Sequence, residues 1–228
     1  QKKNNFAIIN ESLKKIFKRK KYLSKMISVN RKEYKQVKFK LKNDYLNLNI
    51  NDENMSFVFT LAKLLKIKKN SFLKSMNSFL GLPHRYELFL KKKDVTFIND
   101  SKATSFQAAK LALAGCKNIF WIVGGLPKQK DKINLKYLKK NIVKSYIMGK
   151  NIDFFKKQIK GNINFLVTNN LRSSVIQAIQ DTRTVKKNNY TILLSPAAAS
   201  FDQFKNFENR GNEFKTLCKL YAKKIIKI

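Results

Sequence analysis

The sequence predicts an α/β protein whose larger, later part is a mainly parallel sheet covered by helices on both faces. Three observations carry that prediction. After Asp94 short apolar strands recur, as "VTFIN" (95–99), "NIFWIV" (118–123), "SYIM" (145–148), "INFLV" (163–167) and "YTILL" (190–194). Helical patterns separate them, at 105–115, 134–141, 151–159, 170–181 and 212–226. The strands themselves are nearly continuous apolar runs, the pattern of strands buried on both faces.

The part before this is organised differently. Residues 1–50 read as a mixed, strand-leaning piece, with "FAIIN", "KMISVN" and "YKQVKFKLKNDYLNLNI" set between Lys-rich segments. From Asn54 the period changes. "NMSFVFTLAKLLKI" puts Phe57, Leu61, Leu64 and Leu65 on one helical face, and "NSFLKSMNSFLGL" predicts a second helix capped by Asn70 or Ser71. Gly81 ends that helix and Pro83 prevents its resumption. A domain boundary is expected near 81–94, dividing the chain into residues 1–82 and 83–228.

Composition bounds what such a chain can do. With 43% hydrophobic and 12% aromatic residues, 228 residues can bury a proper core. Two cysteines, Cys116 and Cys218, are too few for a disulfide framework and fit no metal spacing, so a reducing compartment is expected. The formal charge of +35 would suit a polyanion, yet only six of the 49 basic residues are arginine. The lysines are spread along the whole chain among Asn, Ile and Phe, which favours solvated faces over a dedicated nucleic-acid surface. No apolar run reaches the roughly 18 residues that a membrane span needs, and the N-terminal segment lacks the apolar core of a signal peptide. The chain starts at Gln1 rather than at methionine, which is expected of a fragment.

In sheets of this kind ligands bind beyond the carboxyl ends of the strands. Those ends here are "NDSKAT", "GGLPK", "GK", "TNN" and "SPAAAS", and three of the five are rich in small, hydroxyl or cationic residues. In "NDSKAT", helix capping by Thr104 or Ser105 and a dipole-offsetting Asp100 explain part of the content but not Lys102. The functional alternative sets Asp100 near a nucleotide hydroxyl and Lys102 and Thr104 near carboxylate or phosphoryl oxygens. "GGLPK" read alone is a glycine turn, although Gly124 and Gly125 allow close backbone approach and Lys128 could meet an anion. In "SPAAASFDQFKNFENRGNEF", Ser200 supplies a hydroxyl at the start of a helical pattern, and Phe201, Phe204 and Phe207 recur at helical spacing. In "GLPHRYE", Arg85 follows a proline-stiffened turn, where the bland alternative is a surface pair with Glu87. No Gly-x-x-x-x-Gly-Lys-Ser/Thr phosphate loop occurs in the chain.

"GLPHRYE", "FINDSKAT", "GGLPK" and "LLSPAAASFDQFKNFENRGNEF", in this order, resemble the Mur ligase family, and specifically the C-terminal half of its D-glutamate-adding members. The resemblance runs from about Asn51 onward, and residues 1–50 look like the end of the family's central ATPase domain. It implies a complete Rossmann-like glutamate-ligase domain behind a truncated ATP-binding one. It implies ATP-dependent activation of the carboxylate of UDP-N-acetylmuramoyl-L-alanine as an acyl phosphate, then attack by the amine of D-glutamate. It further implies a cytoplasmic monomer in peptidoglycan precursor synthesis, with no specific nucleic acid and no membrane partner.

Carried over by motif, Asn54, Arg85 and Asp100 correspond to ATP-binding positions, with Asn54 near the adenine. Thr104, Lys128, Ser200, Phe201 and Phe207 correspond to the D-glutamate pocket, and Lys102 to a catalytic position near the acyl phosphate. Two positions depart from the family pattern: Ser105 stands for its usual asparagine and Ala198 for a common cysteine. The family's phosphate loop, its Mg2+ ligands and its uridine-nucleotide domain are expected upstream of Gln1, so no metal ligand is assigned here. Two alternatives stay open at this point. One is another amino-acid ligase of the Mur and folylpolyglutamate synthase superfamily, and the other is a basic nucleic-acid-binding module.

Overall fold

The computed structural model divides into two compact units, Gln1–Gly81 and Leu82–Ile228. It describes residues 2–20, 22–185 and 188–226. In the first unit, β1 (Phe6–Ile9) pairs in parallel with β2 (Lys25–Ser28), with α1 (Lys14–Arg19) between them. Then come α2 (Arg31–Lys38), the short α3 (Asp44–Asn47), α4 (Asp52–Leu64) and α5 (Lys69–Asn77).

The strand-leaning expectation for 31–50 does not hold, because the segment is helical. Asn30 caps α2 by accepting hydrogen bonds from the N–H groups of Lys32 and Glu33, and Tyr34 and Val37, three residues apart, are buried on one face. The core of this unit joins Tyr34, Val37, Leu41 and Leu46 to Met55, Ala62 and Phe72. Helix α4 therefore turns Met55 and Ala62 inward, while Leu61 and Leu65 are 44% and 62% exposed. The predicted apolar face of this helix is thus not its buried one. Helix α5 starts two residues earlier than the nearer of the expected caps, Asn70, allows, at Lys69, with Lys68 in the cap position and no side chain closing it.

In the second unit, β3 (Glu87–Lys92) and β4 (Val95–Asn99) form an antiparallel pair. They are followed by α6 (Phe106–Gly115), β5 (Ile119–Gly124), β6 (Ile142–Met148), α7 (Ile152–Ile159), β7 (Phe165–Asn169), α8 (Leu171–Asp181), β8 (Tyr190–Leu194) and α9 (Phe207–Ile225). The sheet order is β3-β4-β8-β5-β6-β7, and every pairing except β3–β4 is parallel. This is the mainly parallel α/β architecture that the strand spacing predicts. β5 and β8 are buried along their whole length, which explains their unbroken apolar runs.

Three expectations need correction. β3 is an additional strand, and its "ELFLKK" sequence carries the lysines of an edge. The helix expected at 134–141 is absent except for a 3-10 turn at Lys139–Asn141. Leu135 and Leu138 are buried there, so the apolar spacing reflects two anchors of a loop rather than a helix face. Residues 201–206 are turns, and α9 begins at Phe207, five residues before the expected start. The helical spacing of Phe201, Phe204 and Phe207 therefore reflects no shared helix.

Candidate active-site edge

The strand order decides which loops meet. Because β8 lies between β4 and β5 and all three run in parallel, their carboxyl ends share one edge of the sheet. Segments distant in sequence, 100–105, 124–128 and 195–200, leave the sheet side by side there. Backbone hydrogen bonds tie them together. Asp100 N–H donates to Leu194 O (2.8 Å) and Gly124 N–H to Pro196 O (3.0 Å). Leu126 and Ala199 exchange a pair of bonds, each 2.9 Å.

Glycine makes the closest of these approaches possible. Gly124 has φ +133°, and a Cβ built there would stand 1.9 Å from the Met148 carbonyl oxygen. At Gly125 the added carbon would meet the Ala199 carbonyl oxygen at 2.4 Å. The start of α6 joins the same edge. Ser105 is its N-cap, accepting from Ala108 N–H (3.3 Å), and the Asp131 carboxylate accepts from Phe106 N–H (2.8 Å). Of the two capping candidates, Ser105 holds the place. Asp131, and not Asp100, bonds the first N–H groups of the helix.

Asp100 is engaged on both oxygens. Tyr86 N–H donates to Oδ1 (3.1 Å) and the Ser195 hydroxyl to Oδ2 (2.7 Å). Burial pushes its carboxyl up to about 6, with the two hydrogen bonds and the positive charge of Arg85 acting the other way. Arg85 itself is exposed. It lies between His84 and Tyr86, both buried and both in the left-handed backbone region at φ +62° and +47°.

The Asn99 amide N–H donates to His84 Nδ1 (2.9 Å) and to Glu87 (3.0 Å). Glu87 pairs with Lys215 of α9 at 3.0 Å. Burial and the Lys215 charge hold the His84 imidazole below its usual value. Helix α9 comes close enough for this only because residue 211 is glycine. A Cβ there would stand 2.2 Å from His84 Nδ1.

The predicted site residues fall into three groups. Asp100, Lys102, Thr104, Lys128 and Ser200 lie in the three bonded loops, with Asp100 and Ser200 buried and Lys102 and Lys128 exposed. Phe207 opens α9 and meets Lys102, whose Nζ lies 5.0 Å from the ring centroid. Phe201 is 70% exposed in the turn before α9. Asn54 belongs to the first unit, where it is exposed in the first turn of α4.

The structure also singles out residues that sequence reasoning passed over. Ser101 and Arg210 are both fully buried at this edge, and His84, Asn99 and Ser195 complete its hydrogen bonding. Arg210 could have been noticed, since it is one of only six arginines in a chain that otherwise uses lysine.

The architecture is an α/β fold that solved Mur ligases share. It superposes on a UDP-N-acetylmuramoylalanyl-D-glutamyl-2,6-diaminopimelate–D-alanyl-D-alanyl ligase from Acinetobacter baumannii with a TM-score of 0.58, at 11% identity, covering 95% of this chain and 51% of that one. It superposes on MurF from Thermotoga maritima with a TM-score of 0.52, at 13% identity, covering 76% and 39%. Likeness at this identity speaks for the fold alone.

Sequence relatives are more particular. The chain is 36% identical over 198 residues to the UDP-N-acetylmuramoylalanine–D-glutamate ligase of Wolbachia sp. subsp. Brugia malayi, covering 84% of the chain and 39% of the relative. It is 34% identical over 177 residues to the ligase of the same name from Rickettsia felis, covering 78% and 39%. No family model matches the chain. The chain is a Mur ligase homologue, and its sequence corresponds to part of the UDP-N-acetylmuramoylalanine–D-glutamate ligases. It spans about 39% of the length of these two relatives.

Proposed function

We propose that this chain supplies the amino-acid-binding part of an ATP-dependent ligase that joins D-glutamate to UDP-N-acetylmuramoyl-L-alanine. The unit Leu82–Ile228 is then the glutamate-ligase domain and Gln1–Gly81 the end of the ATP-binding domain. One observation supports this above the others. The "NDSKAT", "GGLPK" and "SPAAAS" loops, each carrying a hydroxyl or a lysine, are hydrogen-bonded into one edge.

The chemistry suits that edge. A dicarboxylic amino acid needs cationic and neutral donors for two carboxylates, and Lys128, Thr104 and Ser200 provide them, with Phe201 and Phe207 as apolar walls. Lys102 carries its charge next to Phe207, where it would offset negative charge that grows as the amine attacks the activated carboxylate. Activation is required because a carboxylate oxygen is a poor leaving group, and ATP supplies it by forming the acyl phosphate. Asp100, Arg85 and Asn54 are the residues proposed to serve that nucleotide.

Asp100 fits such a role only in part, since both of its oxygens already accept protein hydrogen bonds and a ligand would share them. Among the described residues no three His, Cys, Asp or Glu side chains gather as a metal site requires. Use of Mg2+ with ATP belongs to the same proposal, with its ligands expected in the longer ligase. No described helix is long and apolar enough to cross a membrane. Action in the cytoplasm and as a monomer remains part of this proposal.

The test is ligation by the longer enzyme that carries this chain, with ATP, UDP-N-acetylmuramoyl-L-alanine and a choice of D-glutamate, L-glutamate or meso-diaminopimelate. ADP, phosphate and a new amide are expected with D-glutamate only. Preference for another amino acid would move the chain to a different ligase of the superfamily. Amide formation by the 228 residues alone would refute the division of labour proposed here.

A further inference from the structure

Arg210 is 0% exposed, yet its hydrogen bonds go to a hydroxyl and two carbonyls and not to a carboxylate. Its Nε donates to the Ser101 hydroxyl (3.0 Å), and its Nη2 donates to the carbonyls of Ser101 (2.8 Å) and Ala198 (3.0 Å). Its Nη1 is buried with no hydrogen-bond partner. That nitrogen faces Gly125, where a built Cβ would lie 3.3 Å from it. Ser101, also 0% exposed, donates its hydroxyl hydrogen bond to the Phe207 carbonyl (2.8 Å).

One guanidinium thus touches the "NDSKAT" turn and the "SPAAAS" loop, abuts "GGLPK", and reaches the start of α9 through Ser101. Burying an arginine against neutral acceptors costs several kcal/mol in general, so a simple core would favour an apolar side chain here. Burial lowers the Arg210 guanidinium to about 10, with the charge of Asp202 acting in the opposite direction. What a planar, five-donor fork offers in exchange is geometry, since it fixes two or more acceptors at set angles.

We propose that Ser101 and Arg210 form a positioning pair that sets the spacing of the three amino-acid-binding loops and of Phe207. The pair lies behind these loops, and its effect on ligand passes through the backbone of Ser101, Ala198 and Phe207. The inference rests on the proposed function for the identity of the ligand, but not for the coupling itself.

Two experiments separate these. On the 228-residue chain, unfolding free energies of Ser101→Ala, Arg210→Met and the double variant form a cycle, with hydrogen exchange followed at residues 100–104 and 196–200. Non-additive losses are expected, with exchange in both loops faster by about tenfold or more in each variant that folds. Additive losses, or faster exchange in only one loop, would overturn the pair. If Arg210→Met does not fold, Arg210→Lys replaces it, because it keeps the charge and loses the fork.

In the longer ligase, Ser101→Ala and Arg210→Lys should raise KM for D-glutamate about tenfold, leave KM for ATP within twofold, and lower kcat less than KM rises. Equal effects on both substrates would reduce the pair to general stability and overturn the positioning role. A wild-type ligase that does not use D-glutamate would instead overturn the proposed function, while the cycle and exchange results would still decide the pair.

Discussion

Lys102, in the turn after β4, holds its ammonium 5.0 Å from the ring centroid of Phe207, the first residue of α9. The two lie 105 positions apart in sequence, and only the packing of α9 against the β4 end makes them neighbours. A cation over an aromatic face is worth about 0.5–1 kcal/mol where exposed, so the contact orients the lysine more than it stabilises the fold. Phe207→Leu should therefore lower ligation by about threefold to tenfold with little change in melting temperature. Lys102→Met should cost far more, and combining the two should add almost nothing to Lys102→Met. Steady-state kinetics of the four proteins check this, and fully additive losses would contradict it.

Lys128 is exposed at the tip of its loop, so removing it leaves the fold unperturbed, within about 0.5 kcal/mol. If it meets a carboxylate of the incoming amino acid, the lost charge-assisted bond costs about 1.5–3 kcal/mol, or roughly tenfold to a hundredfold. Lys128→Met should raise KM for D-glutamate by that factor at an unchanged melting temperature. An unchanged KM would remove Lys128 from the pocket.

Asp100 predicts a pH dependence of stability. Its ordinary value is 3.8 and the buried group is held at about 6, so between these the folded state keeps a proton that the unfolded state has released. Stability contributed by this group is greatest below about pH 4 and falls as pH rises to about 6, by up to about 3 kcal/mol. Denaturant unfolding at pH 4, 5, 6 and 7 should show this fall in the wild type and its loss in Asp100→Asn. Parallel curves for the two proteins would show that folding does not raise the Asp100 carboxyl.

Gly211 of α9 leaves no room for a Cβ beside His84, in the turn that carries Arg85. Gly211→Ala would place a carbon 2.2 Å from His84 Nδ1, and overpacking of this kind costs about 1–3 kcal/mol. Thermal unfolding should show the loss. Adding His84→Ala should recover part of it, because the imidazole is what the new methyl group strikes. No recovery in the double variant would place the clash elsewhere.

Gly124 and Gly161 both have φ in the left-handed region, at +133° and +79°, but their surroundings differ. A carbon at Gly124 would meet backbone at 1.9 Å, whereas nothing lies within 4 Å of one at Gly161. Gly161→Ala should cost only its conformational strain, about 1–2 kcal/mol. Gly124→Ala should cost more than that and disturb the loop that carries Lys128. Equal melting shifts for the two would argue against the close approach at the β5 end.

The legible parts of the sequence were those governed by local periodicity. β4 and β8 fall at 95–99 and 190–194 as their apolar runs predict, and α6 and α8 begin within one residue of expectation. The misreadings came where spacing had another cause. Leu135 and Leu138 mimic a helix because a loop buries two anchors, and the Lys-rich α2 looked like a strand until Tyr34 and Val37 were seen to share a face. For the site, the loops could be listed from the motifs, but Ser101, Arg210 and Asn99 were silent. Their importance lies in partners about 100 residues away.

By itself, then, the sequence determined that strands and helices alternate, that strand ends bear hydroxyls and lysines, and which ligase family those motifs match. Only the tertiary structure decided that β8 inserts between β4 and β5, bringing three of those ends together, and that a buried arginine ties two of them and abuts the third. The reason is physical. Periodicity and turn chemistry are written within a few residues, whereas strand order and buried polar pairing emerge from contacts across the whole unit.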